Sequence, residues 1–206
     1  MSLTVFTHAI LQRDLSVIRD KHTSNDIFRA TVQRISEVMA VELCKTFPLT
    51  EFTFETPLEI TTGYRLRESY VLAPVLRAGL GLLDGFLKIL PDASVSHIGV
   101  SRDHHTHLPN YYYSNIPAKI SESHCIVLDP MLATGGSASM ALDLLKQKGA
   151  KQLTLVSIVA APEGVRAVEA AHPDVPIFTA ALDRELNTSK YILPGLGDAG
   201  DRIFGT

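Results

Sequence analysis

Cys125 to Ala138 reads CIVLDPMLATGGSA: four apolar residues, an acid, a Thr-Gly-Gly-Ser turn, then the opening of a helix. The apolar run has the length of a strand buried on both faces, and Ser137 to Lys148 continues at helical spacing until Gly149 stops it. The same succession repeats on either side. Ser69–Ala73, Val95–Val100, Leu153–Ala160 and Ile177–Ala181 read as further core strands, and Leu80–Leu90 and Glu163–Ala171 as helices ending near Pro91 and Pro173. Alternating strands and helices, with strands apolar throughout, predict an α/β fold with a mostly parallel central sheet covered by helices. Ligands in such sheets bind beyond the carboxyl ends of the strands.

Upstream, Thr23–Asp26 reads as a capping box, and Phe28, Val32, Ile35, Met39 and Leu43 recur at helical spacing as far as about Lys45. Glu51–Tyr64, alternating and β-branched with Pro57 and Gly63, predicts an antiparallel arm or flap. No repeat or linker divides the 206 residues, so one domain is expected over 1–206. Nineteen Lys and Arg against twenty-two Asp and Glu give a net charge of −3, without the basic field that nucleic acid or anionic lipid would select. No run approaches the roughly 20 apolar residues of a membrane span. The N-terminus lacks the pattern of a secretory signal, and Cys44 and Cys125 have no metal-site spacing, so buried thiols in a reducing cytoplasm are expected.

The chemistry is predicted in the loops. In the stretch that opened the reading, glycines turn successive N–H groups toward one point, Thr134 and Ser137 add hydroxyls, and the helix presents its positive end. That is a cradle for one phosphate monoester, with Asp129 placed to accept from adjacent sugar hydroxyls. A ribose 5-phosphate satisfies both. The plain alternative is a tight turn with Ser137 as N-cap. A nucleotide-hydrolysing P-loop is excluded because no Gly-Lys-Ser/Thr follows the glycines. A second loop, APVLRAGLG at Ala73–Gly81, offers Arg77 and the N–H groups of Ala78 and Gly79 to an oxyanion such as diphosphate; alternatively Arg77 is an ordinary surface residue. The C-terminal YILPGLGDAGDR, Tyr191–Arg202, contains a GxGxxG match, but the chain has only four further residues, too few for a dinucleotide-binding unit. Such a run can wrap backbone groups around a small planar heterocycle, with Tyr191, Ile192, Leu193, Ile203 and Phe204 as apolar anchors.

These motifs resemble the uracil phosphoribosyltransferases. VLAPVLRAGLG, GVSRD at Gly99–Asp103, the tyrosines and IP of Tyr112–Pro117, VLDPMLATGGSA and YILPGLGDAGDR are similar to that family's motifs and follow its order, as do IRDKHTSNDIFR at Ile18–Arg29 and ETPLE at Glu55–Glu59. The similarity covers nearly the whole chain, and Pro130 after Asp129, where most phosphoribosyltransferases place a second acid, is typical of the uracil enzymes. The resemblance implies a type I phosphoribosyltransferase fold with a small C-terminal hood and the β-arm. It also implies transfer of 5-phosphoribosyl from 5-phosphoribosyl 1-diphosphate (PRPP) to uracil N1, giving UMP and diphosphate, as in pyrimidine salvage.

By the same resemblance, Asp129, Pro130, Met131, Leu132, Ala133, Thr134, Gly135, Gly136 and Ser137 hold PRPP together with Arg77, Arg102 and Asp198. Residues 190–206 form the base-binding segment, in which Tyr191, Ile192, Gly197, Asp198 and Ala199 contact uracil. Asp198 and Arg102 are the implied catalytic residues, Arg102 closing over diphosphate. Mg²⁺ is implied as a cofactor bound mainly through PRPP, with no metal site of the protein's own. A homodimer or homotetramer is implied, and GTP is an activator in some members. Asn115 stands where the family often has lysine. The polar, aperiodic Asp103–Asn115 has the profile of an active-site lid, and His104, His105 and His107 within it read as solvated rather than metal-binding. Rival readings are a purine or orotate phosphoribosyltransferase, which the C-terminal run disfavours, and an RNA-binding regulator on this fold, which the charge balance disfavours.

Overall fold

Strands that are apolar on both faces must be covered on both faces, and the computed structural model, which describes residues 3–102 and 109–206, shows how. In chain order the elements are β1 (Leu3–Val5), α1 (Ala9–Arg19), α2 (Asn25–Cys44), β2 (Leu49–Glu55), β3 (Ile60–Leu66), β4 (Ser69–Leu76), α3 (Leu80–Ile89), β5 (Ser94–Val95), β6 (Ile98–Arg102) and β7 (Pro109–Ser114). There follow β8 (Ser123–Leu128), β9 (Met131–Leu132), α4 (Gly136–Gln147), β10 (Gln152–Ala160), α5 (Pro162–Ala171), β11 (Ile177–Leu182), β12 (Glu185–Leu186), β13 (Ile192–Leu193) and α6 (Ala199–Phe204). The central sheet runs β1-β11-β10-β8-β4-β6-β7, with β5 beside β4 and β9 beside β10. Every pairing in it is parallel except β6 with β7. The carboxyl ends of β4, β6, β8, β10 and β11 therefore share one edge.

Alternation along each strand sorts the core into two halves. On β8, Cys125 and Val127 join Ala141, Leu142 and Leu145 of α4 and Val165 and Val168 of α5. Ile126 and Leu128, on the opposite face, join Leu11, Leu15 and Ile18 of α1, Phe28, Ile35 and Met39 of α2, and Leu82 and Phe86 of α3. The expected strands and helices are present, with ends shifted by a few residues, except that the expected strand Val95–Val100 is divided at Ser96 and His97 into β5 and β6; β2 and β3 pair as the antiparallel arm. Both cysteines are free thiols, Cys125 buried as expected but Cys44 only partly so, and desolvation pushes Cys44 up to about 11 and Cys125 up to about 12.

Three local expectations are corrected. The N-cap of α2 is Ser24, not Thr23, whose hydroxyl instead donates to the Val17 carbonyl at 2.6 Å. The N-terminal residues, for which no element was expected, supply β1 at the sheet edge and α1 against α2. α1 buries Asp14, whose carboxylate accepts from Arg34 at 2.5 and 3.0 Å and from Arg13 at 2.9 Å. Burial pushes that carboxyl up, but the arginine hydrogen bonds outweigh it and hold it below the usual carboxylate range. Finally, the second half of the expected lid is a strand: Pro109–Ser114 pairs antiparallel with β6, with an irregularity at Gly99/Val100. Tyrosines suit an edge strand, and a Cβ at Gly99 would lie 2.6 Å from the Tyr112 ring, so this edge is closely fitted to that residue. Residues 103–108, including the three lid histidines, lie outside the described residues.

Candidate active site

At the carboxyl end of β8 the chain passes through Asp129 and Pro130, makes the short β9, and turns into α4 at Gly135. Gly135 is the N-cap, with φ +82°, a region that disfavours side chains, and its carbonyl accepts from Ser139 N–H at 2.8 Å. The N-cap thus lies two residues before Ser137, the cap of the alternative reading. Gly136, Ser137 and Ala138 occupy the first turn, whose N–H groups have no intrahelical acceptor, at the positive end of a twelve-residue helix. They line a polar cavity of about 100 Å³ with Asp129, Met131, Leu132, Ala133, Thr134 and Gly135. Pro130 lies apart from it: its carbonyl accepts from Ile158 and Val159 N–H at 3.0 and 3.1 Å, which fastens the loop to β10.

A second cavity, of about 340 Å³, shares Met131 and Ala133 with the first and is completed by Ser189, Lys190, Tyr191, Ile192, Gly197 and Asp198. Four of the five residues expected around the base thus form one wall. The fifth, Ala199, is buried, and its N–H donates to the Met131 sulfur at 3.3 Å, which binds the C-terminal segment to the cradle. Asp198 is exposed and caps α6, accepting from Asp201 N–H at 2.9 Å. Of the expected apolar anchors, Ile192 and Ile203 are buried, whereas Tyr191 and Phe204 are half exposed; Leu196 and Ala199 take their place in the core.

The Arg77 loop packs against the end of β8 and against α6. Gly79 is pressed so close that a Cβ there would lie 2.4 Å from the Leu128 carbonyl, directly before Asp129. Gly79 N–H is already given to the Val75 carbonyl at 2.8 Å, so Gly79 is a close-packing residue here rather than the expected donor to an anion. Arg77 reaches across to α6, with Nη2 3.3 Å from Asp201 Oδ1 and the guanidinium 5.7 Å from the Phe204 ring centre. Arg102 ends β6 on the same sheet edge. Two parts of the chain thus line adjoining cavities, one built of N–H groups and hydroxyls, the other of backbone turns, while Arg77 lines neither. Among the described residues, no group of three or more His, Cys, Asp or Glu is placed to hold a metal ion.

A family model described as uracil phosphoribosyltransferase matches residues 5–206. The chain belongs to the uracil phosphoribosyltransferase family. It is 51% identical over 205 residues to the uracil phosphoribosyltransferase of Salinibacter ruber, covering 100% of this chain and 98% of that one. It is 50% identical over 203 residues to that of Pediococcus pentosaceus, covering 98% and 97%. A solved structure of the AQ2163 protein from Aquifex aeolicus superimposes with a TM-score of 0.94 at 33% identity, covering 99% of this chain and 98% of that one. A hypoxanthine-guanine phosphoribosyltransferase from Bacillus anthracis, at 13% identity and TM-score 0.53 over 77% of this chain and 80% of that one, shares the fold. The architecture is therefore that of the type I phosphoribosyltransferases, as the sequence led us to expect.

Within this uracil phosphoribosyltransferase fold, two supports escaped the motif reading. Gly164, in the first turn of α5, backs the cradle so tightly that a Cβ would lie 2.4 Å from the Ala133 carbonyl and 2.8 Å from that of Leu132. Asn187 organises the other wall, its Oδ1 accepting from both Ser189 and Tyr191 N–H at 2.9 Å. A Gly near a helix start and an Asn in a turn are ordinary signals, and nothing local marks these two as supports.

Proposed function

We propose that this enzyme transfers the 5-phosphoribosyl group of PRPP to N1 of uracil, giving UMP and diphosphate. The observation that carries the reading is the pair of adjoining cavities, joined at Met131 and Ala133, on the carboxyl edge of the sheet in a chain of this family. The smaller cavity receives the 5-phosphate on the first turn of α4, and Asp129 takes the ribose hydroxyls. The larger receives the base against Tyr191, Ile192, Gly197, Asp198 and the turn before Ala199. Arg77 and Arg102 take the diphosphate.

The C1′–O bond to diphosphate breaks as the N1–C1′ bond forms, so positive character develops at C1′ and negative charge gathers on the leaving group. Arginines fixed beforehand where that charge appears lower the barrier without reorganising. Holding N1 and C1′ together removes the entropy of their encounter. Asp198 orients the base beside the diphosphate-sugar and is the carboxylate on the base-cavity wall toward which the uracil N1 proton can pass. No covalent nucleophile is involved.

The donor set suits Mg²⁺, which takes one or two carboxylates together with substrate phosphates: Asp129 lines one cavity and Asp198 the other. When bound, mainly through PRPP, it would supply charge neutralisation to the departing diphosphate, with Asp129 and Asp198 as the carboxylates that would hold it. Assembly as a homodimer or homotetramer, GTP activation and a cytoplasmic location are supported by the family resemblance. Among the described residues, no helix is long and apolar enough to cross a membrane. Light scattering, an initial-rate titration with GTP and cell fractionation test these three. For the activity itself, uracil-dependent release of diphosphate from PRPP is expected, and release indifferent to uracil would count against it.

A further inference from the structure

We infer that Arg19 and Asp183 form a positioning pair that holds the base-reading segment in register for uracil, an assignment that rests on the reading of residues 190–206 given above. Arg19 ends α1 and Asp183 follows β11, 164 positions apart. Their groups meet in a fork, Nη2 to Oδ1 at 2.6 Å and Nη1 to Oδ2 at 2.9 Å, with the Asp183 side chain 5% exposed. The pair does more than neutralise itself. Asp183 Oδ2 also accepts from Gly195 N–H at 3.0 Å, and Arg19 Nη1 also donates to the Gly195 carbonyl at 2.8 Å, so both main-chain groups of one turn residue are gripped.

That residue is the pivot of the base wall. Gly195 has φ +61°, and the chain folds back there so sharply that a Cβ would lie 2.2 Å from the Ile192 carbonyl. Ile192 on one side of the turn and Gly197 with Asp198 on the other all line the larger cavity. Neither Arg19 nor Asp183 lines it, so the pair acts through the turn. A buried ion pair is poor evidence of stabilisation in itself, because desolvation offsets much of the attraction. Its four directional contacts, two within the fork and two on the glycine turn, are instead a geometric constraint, of a kind that neutral packing around an unshielded backbone cannot reproduce.

The test is a split of kinetic constants. In Asp183→Asn the Gly195 N–H keeps an acceptor while the fork is lost, and in Arg19→Lys the charge stays while the second contact is lost. We expect the uracil KM to rise about tenfold or more in Asp183→Asn and by less in Arg19→Lys, with the PRPP KM within about twofold of wild type. Discrimination between uracil and cytosine should fall in parallel. Equal changes in both KM values, or unchanged kinetics with only a lower Tm, would overturn the positioning role. Arg19→Lys decides by the same split if Asp183→Asn fails to fold. Wild-type protein that makes no nucleotide from uracil would instead overturn the functional reading, and this assignment with it.

Discussion

Gly164→Ala separates the cradle from the rest of the molecule. Gly164 sits in the first turn of α5, where alanine is intrinsically the better helix former by about 1 kcal/mol. The new methyl, however, would start 2.4 Å from the Ala133 carbonyl oxygen and 2.8 Å from that of Leu132. Both obstacles are backbone, so no side chain can swing away, and one surface must retreat by at least about half an ångström. Overpacking of this kind costs about 1–3 kcal/mol, so the net loss after the helix gain is about 0–2 kcal/mol, a fall in Tm of at most about 8 °C. The displaced atoms are the cradle itself. Misplacement on the ångström scale at a binding centre is worth up to about a hundredfold, so we expect the PRPP KM to rise about 10- to 100-fold. Steady-state kinetics beside a thermal melt read both quantities. A PRPP KM within twofold of wild type would show that α5 does not set the cradle, and the reasoning would fail.

Asp198→Asn should lower kcat far more than it weakens PRPP binding, with little change in Tm because asparagine caps a helix as well as aspartate; equal turnover would remove Asp198 from the chemistry. Arg102→Ala should raise the PRPP KM, and an unchanged value would refute its role at the diphosphate. The Asp14 carboxyl is depressed in the folded state, so the stabilisation it shares with Arg34 is present above the ordinary carboxylate pKa and is lost as pH falls through the lower folded value. Arg34→Ala should therefore cost about 1–3 kcal/mol in urea melts at pH 7 and less near pH 3, the half-exposed arginine and the remaining Arg13 limiting the loss; a cost independent of pH would contradict the pairing. Cys125, buried and raised to about 12, should resist iodoacetamide at pH 8 until the protein is unfolded, with the partly buried Cys44, raised to about 11, reacting slowly; rapid native alkylation of Cys125 would contradict its burial.

Much of this architecture was legible because apolar runs and glycine-rich turns are local signals. The strand-cradle-helix unit at Cys125–Ala138 and the antiparallel arm needed no distant partner to be read. α1 was missed because its apolar stripe, Leu11, Leu15 and Ile18, is interrupted by Asp14, whose burial is made tolerable by Arg34 twenty residues away. β1 is three residues long and gains its meaning only beside β11. Pro109–Ser114 resembled loop because an edge strand with exposed tyrosines shows no apolar alternation, and its strand character comes from β6. In the site, the motif residues could be chosen by type and spacing, but the groups that aim them could not. Gly164 behind the cradle, Asn187 in the base wall and Arg19 on Asp183 act through contacts between segments distant in the chain or through backbone turns that only the folded chain displays.

The most direct measurement is to incubate the protein with Mg²⁺ and PRPP and, in turn, uracil, cytosine, orotate, adenine and hypoxanthine, and to identify any nucleotide formed. The account predicts UMP from uracil and no nucleotide from the other four. Nucleotide from a different base would contradict the assignment of the C-terminal wall, and PRPP binding without product from any base would contradict the catalytic reading altogether.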